Sequence, residues 1–186
     1  MRTMVTMCLA CVLALGSAGS ALAQASDSNQ RMQQRIIKEV RHELVMMPQL
    51  SIFDNLAYKV DGSTVTLLGQ VRNAFLKDEA VKAVKNIEGV ERVNNQIEVL
   101  PVSFNDDRIR REVARAILND PRLFPYSIQS LPPIHIIVKN GQVSLEGVVR
   151  DQADKDTAGI RANGVPGVFA VQNNLKVETS SQQEKK

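Results

Sequence analysis

The sequence has no tryptophan, two tyrosines and five phenylalanines, so aromatic residues make up only 4% of its 186 positions. Stacking platforms for single-stranded nucleic acid need more rings than that. Histidine is limited to His42 and His135, and cysteine to Cys8 and Cys11 in the first dozen residues. Charge of one sign is also lacking: 23 Lys+Arg stand against 20 Asp+Glu, too small an excess to mark a polyanion-binding chain. The one sustained apolar run, Val5–Leu15, falls short of the roughly 20 residues needed to cross a bilayer. What is present, 44% hydrophobic and 23% charged residues, is the usage of a folded globular protein.

The N-terminus reads as an export address. Arg2 precedes the apolar run, small residues come after it, and Ala21-Leu22-Ala23 supplies an A-x-A pattern, so cleavage is expected after Ala23 and the protein is expected in the periplasm. Leu9-Ala10-Cys11 superficially resembles an acylation site, but Cys8 stands where a leucine is required. With residues 1–23 removed no cysteine remains, which eliminates thiolate zinc sites, disulfides and thioredoxin-type chemistry together. Residues 24–30 read as a disordered lead-in and 179–186 as a disordered tail.

The rest of the chain is a duplication. Ile36, Glu39, Val40 and Pro48 recur as Ile109, Glu112, Val113 and Pro121, at an offset of 73. Val65, Leu67, Gly69, Val71 and Arg72 recur as Val143, Leu145, Gly147, Val149 and Arg150, at an offset of 78. The difference places a five-residue insertion between Leu123 and Ile136, in a stretch of loop character. The expected domains are residues 31–100 and 106–178, joined by a linker at 101–105.

Each copy opens with an amphipathic helix, marked by Ile36, Val40 and Leu44 and by Ile109, Val113 and Ile117. A strand comes next (Ala57–Asp61, Ile134–Lys139), then a turn at Asp61-Gly62 or Asn140-Gly141, both strong hairpin signals. An alternating second strand, a second helix (Phe75–Ile87, Gln152–Asn163) and a third strand complete an αββαβ order. The expected fold class is α+β: two tandem units, each a small three-stranded mixed sheet with both helices on one face. Gly69 and Gly147 share the parity of buried strand residues, which predicts close approach of a helix to the sheet. Asn95 and Asn173 have the same parity and are expected to bond nearby loop backbone.

The run Val65-Thr66-Leu67-Leu68-Gly69-Gln70-Val71, with Gly89-Val90, Val93, Asn95, Ile97 and Val99 after it, resembles the BON domain of bacterial envelope proteins. Val143-Ser144-Leu145-Glu146-Gly147-Val148-Val149, with Gly167-Val168, Val171, Asn173, Leu175 and Val177, repeats the resemblance. It implies phospholipid binding and a role in maintaining the envelope under stress. Because the motif consists of glycines and core residues, the resemblance carries a fold and hardly any site.

Candidate site residues therefore come from the chain itself. Arg31, Arg35, Lys38 and Arg41 share one side of the first helix, and Arg108, Arg111 and Arg115 share one side of its counterpart. Basic residues at an anionic membrane surface contribute about 1 kcal/mol each. Leu123, Phe124 and Tyr126 in the longer loop, with Leu131 and Ile134 beyond them, are expected to dip into the interface. The expected partner is an anionic phospholipid surface, with envelope proteins as the alternative, through a protein-interaction or holdase-like module. No enzyme, metal or cofactor is expected: the two histidines do not correspond between copies, and His42-Glu43 lacks the second histidine of a helical zinc motif. Gly164-Val165-Pro166-Gly167 spells the GxxG of an RNA-binding loop, but Asn86 replaces its first glycine in copy one, and nucleic acid is not an expected partner.

Overall fold

A computed structural model of the chain describes residues 18–178. The first unit consists of α1 (Ala18–Val45), β1 (Asn55–Asp61), β2 (Thr64–Val71), α2 (Ala74–Lys85) and β3 (Arg92–Val99). The second consists of α3 (Phe104–Leu118), the short α4 (Phe124–Ser127), β4 (Ile134–Lys139), β5 (Gln142–Val149), α5 (Gln152–Asn163), β6 (Ala170–Asn173) and β7 (Lys176–Val177). In both, the first two strands pair antiparallel across a glycine turn. The central strand then pairs parallel with the strand or strands C-terminal to the second helix: β2 with β3, and β5 with β6 and β7. The expected α+β architecture of two tandem αββαβ units is the one observed.

The helix stripes read from the sequence form the cores. Ile36, Val40 and Leu44 are buried against Val65, Leu67, Val71, Ala80, Val84 and Ile97. Ile109, Val113 and Ile117 do the same against Val143, Leu145, Val149, Ala158 and Ala162. The second helices start at equivalent caps, Asn73 accepting from the Phe75 amide at 2.9 Å and Asp151 from the Asp154 amide at 2.8 Å.

Four expectations are corrected. Residues 24–30 are helical, because no glycine or proline interrupts the chain between Ser20 and Met47 and α1 continues through them. The linker is shorter than 101–105, because Ser103 caps α3 and the helix begins at Phe104. The loop of copy two contains the helical turn α4, and its third strand is divided into β6 and β7. Gly69 and Gly147 do not admit a helix: at φ +112° and +123°, a Cβ would overlap the carbonyl oxygens of Asn55 and Pro133 on the adjacent chain segment. Asn95 and Asn173 accept from the amides of Ile97 and Leu175 two residues on, and Asn173 also donates to the Lys155 carbonyl at 2.7 Å. The export segment through residue 17 and the tail from 179 lie outside the described residues.

The units touch through the segment that joins α1 to β1. Ile52 and Phe53 pack against the second core, and the Ile136 amide on the outer edge of β4 donates to the Ile52 carbonyl at 2.7 Å. Asp54, 2% exposed, holds this segment in shape by accepting from the Ser51 hydroxyl and from the Arg72 amide at 2.8 Å. Lys139 pairs with Glu98 across the two units. His135 is caught beneath the segment, and burial pushes its pKa below the ordinary 6.5 against the opposing pull of the Ser51 and Asp54 backbone and of Asp54 and Glu146.

Gly69→Ala or Gly147→Ala is expected to lower unfolding free energy by at least about 2 kcal/mol, whereas Gly62→Ala, with φ +58° and open space around it, loses about 1 kcal/mol; denaturant titration reads both. Because the unfolded chain protonates His135 before the folded one does, stability declines as pH falls below 6.5. His135→Gln removes that part of the slope in thermal melts between about pH 7.5 and 5.

Candidate functional site

Helix α3 presents one exposed basic stripe. Ser103 accepts from the Asp106 amide at 3.2 Å and starts the helix, and Asp106 and Asp107 in the first turn suit its positive end. Asp106, 1% exposed, is also a fastener: its two oxygens accept from the amides of Asn140 and Gly141 at 2.9 Å each. With this end fixed, Phe104, Arg108, Arg111 and Arg115 fall on one side at helical spacing.

The stripe borders a groove of about 660 Å³ between α3 and the C-terminal end of α5, lined by Arg108, Glu112, Arg115, Ile160, Arg161 and Pro166 among others. Arg108 pairs with Glu112 at 2.9 Å and donates to the Pro166 carbonyl at 3.3 Å. Arg161 pairs with Asp120 at 2.6 Å. Arg111 and Arg115 are not buried, and among the described residues neither has an ion pair. Exposed apolar side chains share this side of the unit. Ile160, 71% exposed, lines the groove with Arg115, and Phe104, 92% exposed, stands four residues before Arg108. Phe169, 81% exposed, is two residues beyond Gly167, which lies against Arg108. Arg110, by contrast, is buried, paired with Asp107 at 2.6 Å and donating to the Val138 carbonyl, so it takes no part in the exposed face.

The residues proposed from sequence thus divide. Arg108, Arg111 and Arg115 come together as expected of one helix face. Leu123 and Tyr126 do not join them: they are 0% and 5% exposed and belong to the second core, as does Ile134. The reason is α4, which turns the insertion back onto its own unit, where Leu123 and Tyr126 bury more apolar area than a surface loop would. Phe124, on the other side of that turn, is 54% exposed. Phe104, Ile160 and Phe169 are absent from the residues proposed on sequence. Phe104 was legible, standing four residues before Arg108 on the same stripe, whereas Ile160 comes to line the groove with Arg115 only through the fold.

Tyr126 is held in a polar cluster. Its hydroxyl donates to Asp154 Oδ2 at 2.6 Å and accepts from the Arg150 amide at 2.8 Å. Arg150 Nη2 lies 3.1 Å from the same Asp154 oxygen, and Arg122 Nε faces Asp154 Oδ1 at 2.6 Å. Arg122 also forks onto Asp151 at 2.9 and 3.0 Å. Burial raises the Tyr126 pKa, and the Asp154 amide at the helix cap, followed by Arg122, lowers that of Asp151. Every charge in this cluster is opposed, as in a structural clamp. Tyr126→Phe is expected to cost about 1–3 kcal/mol without disturbing α3, as read by chemical denaturation and by amide exchange at Arg150.

On the first unit, Arg35, Lys38 and Arg41 are exposed along α1, with Arg35 3.6 Å from Glu88. Among the described residues no helix is long and apolar enough to cross a membrane, and no group of three or more His, Cys, Asp or Glu side chains converges on a metal position.

Two αββαβ units with a positive-φ glycine at the same point of each central strand define a tandem α+β module. The BON domain matches residues 33–101 and again residues 105–179, and the chain belongs to the BON domain family. It is 31% identical over 133 residues to osmotically-inducible protein Y of Escherichia coli K12, covering 67% of this chain and 62% of that one. It is 32% identical over 112 residues to outer membrane lipoprotein DolP of Haemophilus influenzae, covering 58% and 54%. The matches thus span less than two thirds of either relative. Among solved structures, the C-terminal domain of CdsD, the structural protein of the type III secretion system of Chlamydia trachomatis, aligns over 77% of this chain and 98% of its own at 14% identity and a TM-score of 0.28.

Proposed function

We propose that this protein is a non-enzymatic module of the bacterial envelope that binds anionic phospholipid at the membrane surface through the α3 face of its second unit. In this reading residues 1–23 direct export to the periplasm and are removed after Ala23, and the protein serves envelope maintenance under osmotic stress. The relatives support the setting, one being named for osmotic induction and the other as an outer membrane lipoprotein. The observation that carries the reading is the α3 stripe: Arg111 and Arg115, two exposed cations without ion pairs among the described residues, share a helix face with the exposed Phe104, and exposed Ile160 lines the groove with Arg115. Cations meet lipid phosphates while rings and branched side chains enter the headgroup boundary, the combination that holds peripheral proteins on anionic membranes. Arg108 contributes its charge from the edge of the groove, beside Glu112. A protein-interaction or holdase-like module is the second reading, favoured by an open apolar groove in the first unit.

The mature protein is expected to sediment with vesicles containing phosphatidylglycerol or cardiolipin at low salt and to leave them as salt rises. Replacing Arg108, Arg111 and Arg115 together by glutamine should weaken retention on the order of a hundredfold, from about 1 kcal/mol per basic residue. Equal retention on neutral and anionic vesicles would overturn the proposal. Intact-mass measurement of the periplasmic form tests the export reading, with Gln24 expected as the first residue.

A further inference from the structure

The two units differ at one corresponding place, the junction between the end of the first helix and the start of the second. In the second unit charges close it: Arg161 holds Asp120 at 2.6 Å, and Arg122 holds Asp154 and Asp151. By the offsets that relate the copies, the first unit carries Ala83, Met47, Gln49 and Leu76 at the positions of Arg161, Asp120, Arg122 and Asp154. The backbones correspond here, with Leu50 donating to the Met47 carbonyl at 3.1 Å and Leu123 to the Asp120 carbonyl at 3.0 Å. Removing the charges while keeping the backbone leaves a groove of about 370 Å³. Met46 (64% exposed) and Phe75 (49%) stand in solvent at this groove, whose lining also includes the half-buried Met47 and the buried Leu76.

Two carboxylates rim the apolar floor, Glu43 from α1 and Glu79 from α2. Glu79 pairs with Lys82 at 2.8 Å, while Glu43 is exposed and has no ion pair among the described residues. We infer that this groove docks a peptide segment of a partner protein in which a leucine or aromatic side chain is flanked by arginine or lysine. The apolar anchor would fill the space between Met47, Leu76 and Ala83, where flexible methionine side chains adapt to differing shapes, and the cation would meet Glu43. The second unit supplies the precedent for the charge, since there an arginine of the connecting segment enters the same junction and meets carboxylates. This site is independent of the α3 face and does not rest on lipid binding.

The test is a ¹H–¹⁵N titration of the full mature chain with three amidated peptides: Arg-Leu-Phe-Leu-Arg, Glu-Leu-Phe-Leu-Glu and Arg-Ser-Ser-Ser-Arg. Only the first is expected to shift amides of Glu43–Gln49 and Phe75–Ala83 saturably. Glu43→Lys should weaken it about tenfold, as loss of a complementary charge does. Met47→Asp combined with Ala83→Arg writes the second unit's ion pair into the first and should abolish the shifts, while unchanged second-unit amides report an intact fold. The inference is overturned if all three peptides act alike, if none shifts the groove at millimolar concentration, or if the double variant binds as well as the parent. It is also overturned if the peptide shifts α3 instead, or if the same groove amides move with protein concentration alone, which would make the occupant a second copy.

Discussion

A three-stranded sheet with helices on one face leaves its other face and both edges open to water, and a unit of about 70 residues buries little apolar surface in doing so. That shortage governs much of this molecule. Each unit completes its core with the same short list of helix and strand residues, and the edge of β4 is then covered by a segment of the other unit. Asp54 is the pivot: with one oxygen on Ser51 and the other on Arg72, it bends the connection so that Ile52 and Phe53 meet the second core. Covering an edge in this way also removes an unpaired strand that would otherwise invite other chains.

The duplication leaves the two copies free to differ wherever the shared core does not constrain them. The second unit uses its extra residues for α4, and it places paired charges around Asp154 at positions that the first unit fills with Gln49, Asn73 and Leu76, which tightens one end of its helix pair. At the other end, its α3 presents arginines and exposed apolar side chains together. The first unit instead has an apolar, carboxylate-rimmed junction where its counterpart is locked. Shared architecture with different chemistry at one junction is a natural route from one fold to two kinds of contact.

Much of the fold was legible because the periodicities are clean and occur twice. The burial of Ile36, Val40 and Leu44, and of Ile109, Val113 and Ile117, comes from four-residue spacing alone, and the Asn140-Gly141 turn from its dipeptide. Less of the site was legible. Leu123 and Tyr126 have the composition of a membrane-dipping loop, and nothing local distinguishes that from a turn folded back on its own core. Ile160 is ordinary in sequence and gains meaning only from lining the groove with Arg108 and Arg115.

The chain's local patterns by themselves determined two copies, their order of helices and strands, the parity of their buried residues and the helix face on which arginines gather, because each depends on neighbours within a few positions. Tertiary structure alone decided which apolar residues are sheltered, that Gly69 and Gly147 answer to a neighbouring carbonyl oxygen rather than to a helix, and that Arg110 is buried while Arg111 beside it is exposed. It also decided that matching positions in the two units are closed in one and open in the other. These depend on contacts between residues tens of positions apart, whose energies no local pattern records.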